Sequence, residues 1–196
     1  MLKVDRLGVY FGPLKVLDGV SLELPSGMMA GLIGRNGAGK TTFMRAIMGL
    51  VGSMEGGLGF DGHDLAAMPA HGRAGLGIGY MPEDRKLVPE FTVEENVLLP
   101  AWATGMAETD RRLAWMYELM PEVAGFRDRR ANQLSGGQQK LVALARALLC
   151  GNRMLLLDEP FEGVAPALAQ RLAQIILKLK SEGMAVLIAD SNEQHV

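Results

Sequence analysis

The sequence predicts an α/β fold built on a mostly parallel sheet. Two observations support this prediction: short apolar runs typical of strands buried on both faces, and amphipathic stretches of helical period between them. The apolar runs are "MMAGLIG", "GIGYM", "MLLL" and "MAVLIA", at residues 28–34, 77–81, 154–157 and 184–189. The helical period is clearest in "LAQRLAQIILKLK" at residues 168–180, where leucine and isoleucine recur at steps of three and four.

Length and composition restrict the possible functions. The 196 residues suit one medium-sized domain, and a net charge of −2 leaves no basic surplus for binding nucleic acid. Cys150 is the one cysteine, which excludes an internal disulfide, and three scattered histidines argue against a structural zinc site. The first ten residues do not resemble a signal peptide, and no apolar run approaches the roughly 20 residues of a membrane span. We therefore expect a cytoplasmic protein that could act on a membrane through a partner.

The remaining elements follow in chain order. Alternation in "VSLEL" at residues 20–24 predicts a half-buried strand, and helical spacing begins after Lys40. From Thr92 to about Arg130 the pattern is helical, and Thr92 with Glu95 predicts a capping box. We interpret this stretch as an inserted helical lobe. Its elements could end at Pro100, Gly105 or Pro121, and its methionines at 106, 116 and 120 are the better candidates for docking a partner.

The stretch "GRNGAGKTT" contains the complete G-x-x-x-x-G-K-[ST] pattern of a phosphate loop, between a predicted strand and a predicted helix. Its glycines let backbone N–H groups surround a β-phosphate, and the helix N-terminus favours an anion. Lys40 can reach the β- and γ-phosphates, and the Thr41 hydroxyl can bind Mg²⁺. A plain glycine-rich turn is the alternative, and the flanking strand and helix argue against it. The predicted nucleotide-binding residues here are Gly34, Arg35, Asn36, Gly37, Ala38, Gly39, Lys40, Thr41 and Thr42.

The stretch "MLLLDEP" at residues 154–160 supplies a second part of a nucleotide site. Its apolar strand ends in Asp158, where a carboxylate can hold the Mg²⁺ shell. Neighbouring side chains on an extended chain point in opposite directions, so Glu159 can face the γ-phosphate and orient the attacking water. A solvated turn is the alternative for an isolated Asp-Glu pair, but the phosphate loop in the same chain favours the catalytic interpretation.

The segment "LSGGQ" at Leu134 to Gln138 places two glycines in the first turn of a predicted helix. Each is about 1 kcal/mol less favourable there than alanine, so something must require bare backbone. A capping box from Ser135 to Gln138 is the structural alternative, and it does not explain the glycines.

Together, the phosphate loop, "LSGGQ" and "LLLDEP" resemble the ATP-binding cassette (ABC) ATPases over nearly the whole chain. The resemblance implies a P-loop NTPase fold with a mostly parallel core sheet, an N-terminal antiparallel β subdomain and an inserted α-helical subdomain. It implies a single ABC ATPase domain over residues 1–196, with a RecA-like core at about 1–90 and 131–196 and the helical subdomain at about 91–130. The chain is expected to be short at its carboxyl end relative to the family.

The resemblance also implies a head-to-tail dimer in which each signature closes on the ATP of the other subunit. The residues carried over for this contact are Ser135, Gly136, Gly137 and Gln138. Phe11 matches the aromatic residue that stacks on adenine, with ordinary core packing as the open alternative.

Two positions depart from the family pattern. Glu83 stands where most members have a glutamine that contacts Mg²⁺, and it stays a candidate for the metal shell. Ser191 stands where the family usually has a switch histidine, so either hydrolysis depends on Glu159 or this half-site is weakened. His195 is expected to be a surface residue rather than a relocated switch.

Within the family, "GIGYMPEDRKLVPEFTVEENVLLPA" and "LLLDEPFEGVAPAL" are similar to the ATPases of branched-chain amino-acid and short-amide importers. The resemblance implies an ATP- and Mg²⁺-dependent ATPase, peripheral on the cytoplasmic face of the inner (plasma) membrane. Its expected partners are transmembrane permease subunits, a second ABC ATPase subunit that is identical or related, and indirectly a solute-binding protein. No nucleic acid is expected as a partner. The alternatives are a soluble ABC ATPase outside transport and a nucleotide-dependent regulator with low turnover.

Overall fold

The structure is a computed structural model that describes residues 1–192. Within these residues the strands form two four-stranded sheets. The antiparallel sheet has the order β2-β1-β4-β5 and contains β1 (Leu2–Phe11), β2 (Leu14–Leu24), β4 (Ser53–Phe60) and β5 (His63–Asp64). The parallel sheet has the order β3-β8-β7-β6 and contains β3 (Met29–Ile33), β6 (Ile78–Met81), β7 (Met154–Asp158) and β8 (Ala185–Asp190).

The described part of the chain also has seven α-helices and one 3₁₀ turn. The helices are α1 (Lys40–Ile47), α2 (Ala70–Gly75), α3 (Val93–Thr104), α4 (Thr109–Leu119), α5 (Pro121–Ala124), α6 (Gly136–Cys150) and α7 (Pro166–Ser181), with the 3₁₀ turn at Ala131–Gln133. The α/β class, the parallel sheet and the N-terminal antiparallel sheet are as the sequence predicts.

The parallel sheet separates two apolar cores. Along β7, Leu155 and Leu157 face a core formed with α3, α4, α6 and α7. The alternate residues Met154 and Leu156 face a second core, formed with α1 and the antiparallel sheet. Both faces of the strand are therefore buried, which explains why it is apolar at successive positions.

The strand predicted within residues 28–34 is present as β3, but the prediction that it is buried is wrong. Met28 is 51% exposed and Ile33 is 48% exposed. The reason is position, because β3 lies at an edge of the parallel sheet and pairs with β8 alone among the described strands. An apolar run indicates a short strand without charges, but it does not indicate whether that strand lies at the centre or at an edge of the sheet.

Helix α3 begins as predicted, with Thr92 and Glu95 in a reciprocal capping box. Its last residue is Thr104, and Gly105 follows as the C-cap with φ 63°. Pro121 begins α5 rather than ending an element. The expectation that a helix could end at Pro100 is wrong, because α3 continues through that residue to Thr104.

The hypothesis that lobe methionines dock a partner is wrong for two of the three. Met116 and Met120 are fully buried, since α4 packs against α6 and turns these side chains into the core. Met106 is half-buried against the same core. None of the described helices is long and apolar enough to cross a membrane.

Candidate nucleotide-binding site

The phosphate loop connects β3 to α1 and has the backbone that an anion requires. Gly37 and Gly39 adopt φ of 83° and 95°, a left-handed conformation that favours glycine. A Cβ at Gly39 would lie 2.6 Å from Leu17 Cδ2, whereas one at Gly37 would have no neighbour within 4 Å. Helix α1 starts at Lys40 without a side-chain cap. Its first N–H groups can therefore donate to a phosphate.

Lys40 folds back over the phosphate loop. Its Nζ donates to the carbonyl oxygen of Gly34 at 2.6 Å and to that of Arg35 at 3.4 Å. The same ammonium lies 3.1 Å from Glu159 Oε1, and both side chains are less than one tenth exposed. The lysine and the proposed catalytic carboxylate therefore share one cleft.

Thr41 and Asp158 form a compact oxygen cluster at the first turn of α1. The Thr41 hydroxyl donates to Asp158 Oδ1 at 3.2 Å, and the Tyr80 hydroxyl donates to Oδ2 at 3.4 Å. Burial raises the pKa of Asp158 to about 6, and these two hydrogen bonds offset part of that shift. A hydroxyl and a carboxylate side by side are the hard oxygen donors that Mg²⁺ prefers, so the residues present fit this ion.

Glu159 has a strained backbone and an ordered carboxylate. Its φ of 48° is left-handed, which costs a non-glycine residue about 1–2 kcal/mol. Its N–H donates to the Ala189 carbonyl oxygen at 2.8 Å, so the chain still follows β8 after β7 ends. Oε2 accepts from the backbone N–H of Ser191 at 3.1 Å and from its hydroxyl at 3.4 Å. Asp158 and Glu159 thus contact different partners, but the extended-chain argument does not explain it, because Glu159 is left-handed rather than extended.

A cleft of about 280 Å³ brings eight of the predicted site residues together. Its lining consists of Val16, Asn36, Gly37, Gly39, Lys40, Thr41, Thr42, Glu83 and Glu159. Glu83 therefore lies beside Lys40 and Thr41, although it is far from them in the sequence. Within residues 1–192 the signature residues are not part of this lining.

Phe11 lies at the end of β1 and is 45% exposed, which excludes the core-packing alternative. Its neighbour Tyr10 is engaged elsewhere, because its hydroxyl donates to Glu55 Oε1 at 2.7 Å. Stacking of Phe11 on adenine stays a prediction.

The signature segment opens α6 and faces outward. Ser135 and Gln138 form the predicted capping box, and Ser135 and Gly136 are exposed. Part of the need for glycine lies within the chain: a Cβ at Gly137 would lie 2.7 Å from Leu168 Cδ2. A Cβ at Gly136 would lie 3.2 Å from Arg85 Nη1. Both neighbours are ends of flexible side chains, so these contacts explain only part of the need for two glycines.

The family model described as ABC transporter matches residues 17–162. The chain belongs to the ABC transporter ATPase family. Among curated proteins, it is 33% identical over 98% of its length to a high-affinity branched-chain amino acid transport ATP-binding protein, BraG of Pseudomonas aeruginosa, and covers 82% of that protein. It is 37% identical over 97% of its length to the lipopolysaccharide export system ATP-binding protein LptB of Escherichia coli, covering 80% of it.

Solved structures of ABC cassettes share the fold. The chain superposes on the ADP conformation of the cassette MJ1267 with a TM-score of 0.84 and 31% identity, covering all of this chain and 83% of that one. It superposes on the dimeric structure of the bacterial cassette MJ0796 with a TM-score of 0.87 and 26% identity, covering 90% of that chain. The chain is accordingly an ATP-binding protein and an ATPase of this family.

Three basic residues of this ABC ATPase were not predicted from its sequence. Arg146 of α6 donates to the carbonyl oxygen of Lys86 at 2.7 Å and to that of Arg85. Arg85 in turn donates to the Gly136 carbonyl oxygen at 3.2 Å, which joins the segment after β6 to the signature. Lys140, buried on α6, is the third.

A sequence signal for Lys140 exists. It stands four residues before Leu144 and eight before Leu148, both of which are buried, so a lysine occupies the first position of an apolar stripe of the ABC ATPase signature helix. Arg85 and Arg146 have no such signal, because they donate to backbone carbonyl oxygens of segments that are distant in the sequence. His195 lies outside the described residues.

Proposed function

We propose that this ABC ATPase binds Mg²⁺-ATP between its phosphate loop and the signature of a second subunit, and that hydrolysis energises a membrane transporter. The observation that carries the proposal is the arrangement of Lys40, Thr41 and Glu159 in one cleft, with Asp158 bonded to Thr41 at its edge. Lys40 and Thr41 begin α1, whereas Asp158 ends β7 and Glu159 follows it, so the two pairs are distant in the sequence.

The residues of the chain divide the chemistry among them. The N–H groups of the phosphate loop and Lys40 would hold the β- and γ-phosphates, and Lys40 would exchange its contact with Glu159 for the γ-phosphate. Thr41 and Asp158, with Glu83 nearby, would hold Mg²⁺, which neutralises charge on the phosphate oxygens. Glu159 would orient a water whose oxygen attacks the γ-phosphorus. The bond to the leaving oxygen of ADP then breaks, and inorganic phosphate is released.

Pairing of two subunits is supported by the position of the signature. Ser135 and Gly136 are exposed at the N-terminus of a 15-residue helix, where free N–H groups and the helix dipole favour an anion. The similar cassette MJ0796 is dimeric in its solved structure. In this proposal the γ-phosphate held by one copy lies against Ser135, Gly136, Gly137 and Gln138 of the other.

A second cavity, of about 550 Å³, supports contact with a permease. It shares Thr41 and Asp158 with the nucleotide site and extends past Arg45, Leu50 and Pro100 toward the helical lobe. A permease segment seated there would touch both the Mg²⁺-binding residues and the inserted helices. In this proposal the chain consists of a core at about 1–90 and 131–196 and a helical lobe at about 91–130.

The class of transported solute is a more specific part of the proposal. Import of branched-chain or other amino acids or short amides is favoured by the similarity to BraG, a branched-chain amino acid transport protein. The similarity to LptB makes lipopolysaccharide export the second candidate. For import, permease subunits, an identical or related ATPase subunit and, indirectly, a solute-binding protein would be the partners, at the cytoplasmic face of the inner membrane.

The test is purification of the tagged chain from its native membranes in mild detergent, with mass spectrometry of the proteins that accompany it. Two polytopic membrane proteins, with or without a second ABC ATPase, are the expected result. An accompanying amino-acid-binding protein would favour import, and an accompanying periplasmic bridge protein would favour export. A set of ribosomal or DNA-repair proteins with no membrane protein would contradict the transport proposal. It would instead favour the soluble alternative.

A further inference from the structure

Lys140 is a buried cation one turn after the signature glycines. Its side chain is only 5% exposed, although it lies on a helix whose neighbouring stripe positions are leucines. Its Nζ donates to the carbonyl oxygen of Glu159 at 2.8 Å and to the carbonyl oxygen of Glu162. The lysine therefore connects the beginning of α6 to the turn that carries the catalytic carboxylate.

A lysine is an unfavourable way to fill this space. Burial lowers the pKa of Lys140, opposed by the nearby charges of Glu162, Glu159 and Asp190 and reinforced by Arg85. Replacing a buried ion by an apolar side chain of similar volume is often neutral or stabilising. Packing alone therefore does not explain the ammonium, whereas its two carbonyl acceptors do.

The acceptor that matters most is the Glu159 carbonyl. Glu159 adopts a left-handed φ of 48°, so the direction of its peptide group has to be maintained by contacts. Its N–H is held by Ala189 and its carboxylate by Ser191. Its carbonyl oxygen accepts from Lys140 at 2.8 Å and, over the longer distance of 3.3 Å, from the N–H of Glu162. Lys140 is therefore the stronger donor to this carbonyl, and it comes from a different element.

We propose that Lys140 is a positioning residue for ATP hydrolysis, which fixes the backbone of Glu159 and links the signature turn to the carboxylate that orients water. Lys140 follows Gly136 by four residues and lies on the same face of α6. A shift of the α6 N-terminus toward a partner's ATP is then transmitted to Glu159 through a single side chain. This inference rests on the proposed role of Glu159.

The experiment measures ATP turnover of Lys140→Met in the full chain, with kcat expressed per ATP-binding site. We expect kcat to fall about 10- to 100-fold, as for misplacement of a catalytic group by about an ångström, with KM for ATP unchanged. Lys140→Arg, which keeps the charge and the donors, should recover most of the lost activity. Should Lys140→Met fail to fold, Lys140→Gln carries the same prediction.

Arg112→Met is the matched control. The Arg112 guanidinium donates to the carbonyl oxygens of Leu148, Leu149 and Gly151 at the other end of α6, far along the helix from Glu159. Its loss should lower the melting temperature but leave kcat per site unchanged. An equal loss of kcat in both variants, or a wild-type kcat in Lys140→Met, would overturn the inference.

A Glu159→Gln background separates this inference from the proposed function. If Lys140 acts through Glu159, Lys140→Met should have little further effect there, whereas an undiminished effect would contradict the inference. Slow turnover in Glu159→Gln with normal turnover in Lys140→Met would contradict the positioning role of Lys140 and leave the catalytic role of Glu159 intact. Normal turnover in Glu159→Gln would remove the catalytic role of Glu159, and the Lys140 inference with it.

Discussion

At the residue scale, we expect the chemistry to depend on Glu159. Its carboxylate accepts hydrogen bonds from Ser191 and forms an ion pair with Lys40 inside the cleft. We predict that Glu159→Gln slows hydrolysis by roughly 10²–10⁴-fold, because the amide cannot accept a proton from water. ATP affinity, measured by calorimetry, should stay unchanged or increase, since the substitution removes the charge that competes for Lys40. Unchanged turnover would exclude Glu159 from the mechanism.

We expect the Ser191 side chain to have a smaller role than its position in the family pattern suggests. Its backbone N–H reaches Glu159 Oε2 at 3.1 Å, and this donor is kept in Ser191→Ala, whereas its hydroxyl is at 3.4 Å. We predict that Ser191→Ala lowers kcat only about two- to tenfold, the effect of one neutral hydrogen bond. Steady-state turnover at saturating ATP measures this. A loss as large as that of Glu159→Gln would mean that the hydroxyl acts directly on the reacting groups.

At the scale of the elements, β6 packs closely against α6, the helix that begins at the signature. A Cβ at Gly79 would lie 2.2 Å from the Ala147 carbonyl oxygen and 2.9 Å from the Gly151 Cα, and backbone cannot swing aside. We predict that Gly79→Ala lowers the free energy of unfolding by roughly 1–3 kcal/mol. In a chain of this size, that corresponds to about 2–12 °C in melting temperature.

Gly75→Ala is the control for this packing prediction. Gly75 is the last residue of α2, and a Cβ there would meet nothing within 4 Å. Alanine at this position should leave the melting temperature unchanged or raise it, because alanine favours a helix over glycine. Equal destabilisation by both substitutions, in thermal unfolding followed by circular dichroism, would contradict the packing account.

Sequence patterns predicted what depends on local chemistry. The capping boxes at Thr92 and Ser135 and the apolar strands β7 and β8 follow from neighbouring residues, and the structure contains them. The exposure of β3 depends on strand order, and the strained φ of Glu159 depends on contacts with distant segments. Neither feature can be predicted from a local sequence pattern. The phosphate-loop residues were predictable because their spacing itself forms the anion site.

At the scale of the whole molecule, the phosphate loop and the signature face different surroundings. The cleft at the phosphate loop takes none of its lining from the signature in the described part of the chain, while Ser135 and Gly136 are exposed. In our proposal, one subunit therefore offers two incomplete halves of a site. Head-to-tail pairing of two subunits would complete both halves at once and make ATP part of the interface.

Gly136→Asp should separate binding from pairing. A Cβ at Gly136 would lie 3.2 Å from Arg85 Nη1, so within one subunit the new carboxylate would face a guanidinium and the fold should tolerate it. Against a partner's γ-phosphate the same carboxylate would be repelled. ATP binding by the single subunit should be retained, as calorimetry can show, while ATP-dependent pairing is lost. Pairing at wild-type affinity would mean that the signature has another role.

The most direct measurement is sedimentation velocity of the Glu159→Gln chain with Mg²⁺-ATP, which slow hydrolysis keeps intact. The account predicts a species of twice the 21.1 kDa subunit mass with ATP, and a single subunit with ADP or when Gly136→Asp is added. A chain that binds ATP at its phosphate loop yet sediments as one subunit, at concentrations well above the dissociation constant for ATP, would contradict the shared site.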